Sequence, residues 1–176
     1  MKSRSLTVAV LAEGGIAIAL SFVLSLIRLW HMPQGGSVTA GHMVPLILFA
    51  LRRGPVPGML AGLLMGLLTF FKDPYFLTPV QFLLDYPIPY ALLGLAGFFS
   101  RHPIAGTVVG VAGRFLSHVL SGAVFFAEYA GTQNPWIYSI IYNGSYLLPD
   151  LVITAVLVAL LWPYLRLTPK TTGAPS

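Results

Sequence analysis

Six apolar stretches make up most of this 176-residue chain, and a few polar side chains interrupt them at one depth: Asp85, Arg114, His118, Tyr138 and Asn143. Backbone that crosses hydrocarbon must satisfy its hydrogen bonds within the protein, so segments of this length fold as helices. A charged side chain at the bilayer centre costs about 2.5–3.5 kcal/mol on insertion scales. Groups that carry such a cost face a partner, a cavity or a ligand. The pattern therefore predicts an all-α membrane protein, a single domain over residues 1–176, with a polar pocket inside a six-helix bundle.

Composition agrees. Hydrophobic residues make up 56% of the chain and charged residues 9%, against about 25% charged in a soluble domain, and the mean hydropathy is +0.81. Cysteine is absent, which excludes disulfides, thiolate metal sites and a cysteine nucleophile. The net charge of +5 does not indicate nucleic acid, because the basic residues form no patch interleaved with aromatics and sit at span ends. Leu6 to Ile27 is too long for the apolar core of a signal peptide and lacks a small-residue cleavage site, so it is expected to remain as the first span.

The expected spans are 6–28, 40–52, 55–71, 79–100, 104–128 and 135–163. Pro45 interrupts the short second span, and Pro87 with Pro89 is expected to kink or unwind the fourth. With the N-terminus in the cytoplasm, seven basic residues fall inside: Lys2, Arg4, Arg52, Arg53, Arg101, Arg166 and Lys170. Only Arg28 and Lys72 fall near the outer loops, so both termini are expected to be cytoplasmic. The fourth helix then enters from outside, and at 1.5 Å per residue Asp85 lies about 9 Å below its start. Arg114 falls near the middle of the fifth helix, His118 further outward, and Tyr138 and Asn143 in the first turns of the sixth. These positions converge on a pocket open to the exterior.

Other motifs are weighed against ordinary packing. Gly58, Gly62 and Gly66 form a GxxxG ladder, read first as close helix packing and second as a partner surface. The first helix has two small-residue pairs, Gly15 with Ala19 and Ala17 with Ser21, either of which could meet a partner subunit. Arg114, His118 and Gly122 share one helix face. One plausible ligand histidine and one carboxylate make a poor metal set, so no metal and no cofactor are expected. Aromatics crowd the outer side, Trp30, Tyr75, Tyr86, Phe126 and Tyr138 among them. Many are belt residues by default, yet beside Asp85 they also suit a small, flat organic cation. Asp150 could pair with Arg114 or cap a broken helix. There is no phosphate loop and no GxSxG elbow, so the chain is not expected to be an enzyme, and any energy for uphill transport must come from an ion gradient or partner subunits.

Four segments carry a specific resemblance: Met32-Pro-Gln-Gly-Gly-Ser-Val-Thr39, Pro79-Val-Gln-Phe-Leu-Leu-Asp-Tyr-Pro87, Arg114-Phe-Leu-Ser-His118 and Asn134-Pro-Trp-Ile-Tyr-Ser-Ile-Ile-Tyr-Asn-Gly-Ser-Tyr146. In this order, across roughly residues 8–162, the chain closely resembles the thiamine-specific S component (ThiT family) of energy-coupling factor transporters. The resemblance implies a six-helix protein of a prokaryotic cell membrane that captures thiamine from outside. It implies two kinds of partner: a transmembrane T subunit and two cytoplasmic ATPases. It implies ligand contacts at Asp85, Tyr86, His118, Gly122, Tyr138, Asn143 and Tyr75, with Trp30 in the loop that covers the site. Asp85 stands where the family pattern has Glu, Phe126 where it has Trp and Arg114 where it has Lys, each keeping the chemical type, so Phe126 and Arg114 are also expected among the substrate-binding residues. The small residues of the first helix would face the T subunit. The rival readings are an S component for another vitamin or thiamine precursor, a small intramembrane enzyme using Asp85 and His118, and a structural subunit without a ligand.

Overall fold

The computed structural model describes residues 7–167, so Lys2, Arg4, Lys170 and the Pro/Thr-rich tail lie outside the described residues. The chain runs α1 (Val8–Leu26), β1 (Arg28–His31), β2 (Ser37–Thr39), α2 (Val44–Arg53), α3 (Pro55–Lys72), α4 (Pro79–Asp85), α5 (Pro87–Leu92), a 3-10 segment (Leu93–Phe99), α6 (Pro103–Phe125), a short 3-10 turn (Ala127–Ala130) and α7 (Pro135–Leu167). Helices α4 and α5 with the first 3-10 segment form one broken span. Five segments are long and apolar enough to cross a bilayer, and the sixth, α2, is not.

Helix α2 departs from expectation for a physical reason. Its ten residues rise only about 15 Å, half the hydrocarbon thickness. It is buried on nearly every side, with Met43, Leu46, Ile47 and Ala50 inaccessible or almost so, and it forms the core together with Met65, Leu93 and Val158. Neighbouring helices rather than lipid surround it. Pro45 does not interrupt this helix but lies in its first turn, where a missing N–H costs nothing. Residues 40–43 are not helical, and Gly41 takes a positive φ of 90° as the chain turns into the helix.

Helix α1 turns Gly14, Ala17, Ser21 and Ser25 toward the bundle. A Cβ on Gly14 would meet the ring of Phe49 at 3.2 Å, and the Ser21 hydroxyl donates to the His42 carbonyl at 2.5 Å. Ala17 and Ser21 are thus spent on internal packing and are not a surface that a partner can reach. Gly15 and Ala19 lie on the exposed side, and a Cβ on Gly15 would meet nothing within 4 Å.

The glycine ladder of α3 is also internal. Side chains added at Gly62 and Gly66 would run into the carbonyls of Tyr90 and Tyr86, and one at Gly58 into Ala50. From the other side, Gly94 and Gly97 meet the backbone of Gly58–Met59 and Gly54–Pro55. Two backbones therefore touch along the whole break in the fourth span, a contact that only glycine permits. The break follows from Pro87 and Pro89, which have no N–H to donate and stand one and three residues after Tyr86. The Ser117 hydroxyl of α6 donates to the carbonyl of Leu84 beside the break at 2.7 Å.

The first loop is a two-stranded antiparallel hairpin, with Trp30 opposite Val38 and His31 opposite Ser37. Met32 N–H donates to the Gly36 carbonyl at 2.7 Å, and Gly35 closes the turn with φ 96°. The hairpin lies over the outer ends of the helices. Helix α7, at 33 residues, rises about 50 Å and exceeds the expected span.

Candidate functional site

Between the hairpin and the outer halves of α4, α6 and α7 lies a cavity of about 640 Å³. It is lined by Asp85, Tyr86, Arg114, His118, Gly122, Phe126, Tyr138, Asn143 and Tyr75, all singled out from the sequence. Trp30 does not line it. Strand β1 is exposed along its length and turns Trp30 outward, two-thirds accessible, while Pro33–Ser37 supply the hairpin's face to the cavity.

The carboxylates of the lining differ in their company. Asp73, at the mouth, is ion-paired with Arg28 and lies 3.5 Å from Lys72 Nζ. Among the described residues, Asp85 meets no arginine or lysine at ion-pair distance. Its Oδ2 accepts from Gln81 Nε2 at 2.6 Å, one turn back on the same helix, and its Oδ1 lies 3.5 Å from His118 Nδ1. Asp85 is therefore a carboxylate held in place by side chains that do not cancel its charge outright.

Aromatic rings line the same cavity in two groups. In the first, Tyr75 lies 5.6 Å from Phe126, which stacks on Tyr129 at 6.2 Å. In the second, Tyr138 stacks on Tyr142 at 6.0 Å, and Tyr142 meets the edge of Tyr146. The Tyr142 hydroxyl accepts from the Gln34 and Gly36 N–H groups at 3.0 and 3.4 Å and so ties the hairpin turn to α7. Tyr86 has a different task. Its hydroxyl donates to the Asp73 carbonyl at 2.9 Å and accepts from Tyr75 N–H at 3.0 Å, fixing the loop that carries Tyr75. Asn143 Nδ2 donates to the Ser139 carbonyl at 2.9 Å, and its Oδ1 accepts from the Tyr146 hydroxyl at 2.7 Å. That leaves the second lone pair of Oδ1 unused. Gly122 lets α6 and α7 approach, since a Cβ there would collide with Ser139 Oγ.

The floor holds a hydrogen-bonded chain with a defined direction. Arg114 lies over the Tyr90 ring, 4.2 Å from its centroid, and its Nη1 is 3.2 Å from His42 Nε2. Arginine only donates, so His42 Nε2 accepts and the ring carries its proton on Nδ1. Nδ1 then donates to Thr39 Oγ1 at 2.6 Å, and Thr39 Oγ1 donates to Asp150 Oδ1 at 3.2 Å, with Thr39 N–H reaching the same oxygen at 3.1 Å. Arg114 and Asp150, whose direct pairing was one of two alternatives open for Asp150, are linked through His42 and strand β2 and not by direct contact. The sequence reading missed His42, Thr39, Gln81 and Tyr90. Gln81 stands at i−4 to Asp85, a spacing that marks it as a neighbour on the same helix face. His42 had no such signal, because it lies in the turn before a buried helix.

A profile of the family described as thiamine transporter protein (Thia_YuaJ) matches residues 11–168. The chain belongs to this thiamine transporter family. It is 33% identical over 172 residues to the thiamine transporter ThiT of Bacillus subtilis (strain 168), covering 86% of this chain and 89% of that one. Identity to the thiamine transporter ThiT of Lacticaseibacillus paracasei is 31% over 168 residues, covering 82% and 83%. The solved structure of ThiT from Listeria monocytogenes superposes with a TM-score of 0.80 at 26% identity, covering 89% of this chain and 96% of that one. This member of the thiamine transporter family is thus a multi-pass helical protein of the bacterial plasma membrane, and its family is one of transport proteins.

The buried chain on the cavity floor makes one prediction about stability. Asp150 is 1% exposed, and Asp150→Ala removes the acceptor of two Thr39 donors inside the protein. Thermal or denaturant unfolding in detergent is expected to show a loss of about 1–3 kcal/mol, the cost of buried donors without partners. A variant as stable as the parent would mean that Asp150 does not anchor strand β2.

Proposed function

We propose that the chain is the thiamine-capturing S component of an energy-coupling factor importer. The observation that carries this reading is Asp85, a carboxylate with no arginine or lysine partner among the described residues, in an outward cavity that two aromatic groups also line. Thiamine has the matching chemistry: a flat aminopyrimidine joined to a thiazolium that is positively charged at neutral pH. Asp85 provides the counter-charge and an acceptor for the pyrimidine amino group. His118 and the spare lone pair of Asn143 offer further polar contacts, and the rings of Tyr75, Phe126 and Tyr138 offer faces for stacking and for the cation. Gly122 keeps the wall between α6 and α7 thin.

The hairpin tied down by Tyr142 would act as the cover, turning at Gly35 and Gly36 to admit and retain the ligand. Trp30 has no role in this reading. The energy would come from two cytoplasmic ATPases acting through a transmembrane T subunit, since the chain carries no phosphate loop. The outward side of α1 with Gly15 and Ala19 fits a partner helix, because small exposed residues allow close approach.

Asp85→Asn keeps the shape and removes the charge. Thiamine affinity of the purified protein, read by tryptophan quenching or calorimetry, is expected to fall by about 1.5–3 kcal/mol, the range for hydrogen bonds to charged groups. Unchanged affinity would remove Asp85 from the ligand site. Gly15→Leu separates capture from transport: binding by the isolated chain should persist while thiamine uptake by cells carrying the partner subunits stops. Normal uptake would show that this side of α1 meets no essential partner.

A further inference from the structure

A second cavity, of about 620 Å³, opens at the opposite end of the bundle, which the arginine distribution assigns to the cytoplasm. Three arginines from three different elements line it: Arg52 at the end of α2, Arg101 between the 3-10 segment and α6, and Arg166 at the end of α7. Among the described residues, no carboxylate belongs to the lining. Arg52 is anchored, its Nη1 donating to the Leu165 carbonyl at 2.6 Å and its Nε lying 3.5 Å from Glu13 Oε2. Arg101 and Arg166 are exposed and have no ion pair among the described residues. Ser100 adds a hydroxyl, and Pro103 and Ile104 bring the start of the 23-residue α6, the positive end of its dipole, to the lining. The remaining wall is apolar, with Trp162 the largest side chain.

Arginines that only set topology can point anywhere in the cytoplasmic solvent. These three converge on one concavity with a hydroxyl and an apolar wall, which suits an anion with oxygens to share among several donors. Guanidinium groups hold phosphate through paired N–H donors, and basic pockets between helices on the cytoplasmic side bind anionic headgroups.

We propose that the cavity formed by Arg52, Arg101, Arg166 and Ser100 is a phosphate-binding site on the cytoplasmic face, separate from the outward cavity. The phosphate could belong to an inner-leaflet phospholipid or to a soluble ion. A lipid would lay its acyl chains along the apolar exterior that the bundle already offers to the bilayer. Occupancy would hold the ends of α2 and α7 and the start of α6 together.

Native mass spectrometry of the full chain in detergent compares retention of phosphatidylglycerol with that of zwitterionic phosphatidylcholine. A second arm reads the shift in melting temperature on adding inorganic phosphate, against chloride at equal ionic strength. The parent is expected to prefer phosphatidylglycerol, and R101Q/R166Q to reduce that preference about 10–30-fold, as two basic residues near an anionic headgroup would. Ser100→Asp leaves every arginine in place as a topology determinant but brings a competing carboxylate, and should produce a similar loss. Helical circular dichroism of each variant confirms that it has folded. Arginine-dependent retention of phosphatidylglycerol identifies the lipid source, and an arginine-dependent phosphate shift identifies the soluble one. Equal retention of both lipids with no phosphate shift would overturn the proposal, as would binding that both variants keep.

Discussion

The fourth span cannot run as a straight helix, and the rest of the outward cavity depends on how that break is held. Two prolines remove donors just after Tyr86, and inside a bilayer the backbone freed in this way needs protein around it. Helix α3 supplies the protein. Gly62 and Gly66 bring its backbone against the carbonyls of Tyr90 and Tyr86, while Ser117 of α6 takes up the carbonyl of Leu84. Held from both sides, the break ends α4 at Asp85 and aims its carboxylate between Gln81 and His118. A side chain at either glycine would force α3 outward, and the residues around the break would lose their fixed positions.

Much of this was legible in the sequence because the cost of polar groups in hydrocarbon leaves few arrangements open. Asp85, His118, Tyr138 and Asn143 were placed at one outer depth by counting residues from span ends, and all four line one cavity. The glycine ladder was read as packing, and its partner is the broken span. Other features left no periodic signal. Helix α2 is buried within protein, so its length could not be judged against bilayer thickness, and the proline at its first turn looked like an interruption. The hairpin has strands of four and three residues, too short for an alternating pattern, and it is the hairpin that turns Trp30 away from the cavity. His42 became visible only once the turn before α2 came to rest beside Arg114.

The two ends of the bundle present opposite electrostatics by different means. At the outer cavity every cation of the lining has a partner: Arg28 and Lys72 meet Asp73, and Arg114 is committed to Tyr90 and His42. Asp85 is left as the charge that can act on a ligand. At the cytoplasmic end Arg101 and Arg166 lack carboxylates among the described residues, so a ligand there would be an anion. The membrane topology and the chemistry of both cavities thus arise from one distribution of charged residues.

Whether the outward cavity reads a cation is tested most directly by comparing thiamine with an isosteric analogue whose thiazolium is replaced by an uncharged ring. Calorimetric titration of both into the purified chain isolates the charge, because size, aminopyrimidine and flexibility stay the same. Thiamine is expected to bind at least about tenfold more tightly, as the loss of one charge-assisted contact at Asp85 requires. Equal affinity for the two ligands, or no saturable binding of thiamine, would contradict a cavity built around Asp85 as the counter-charge.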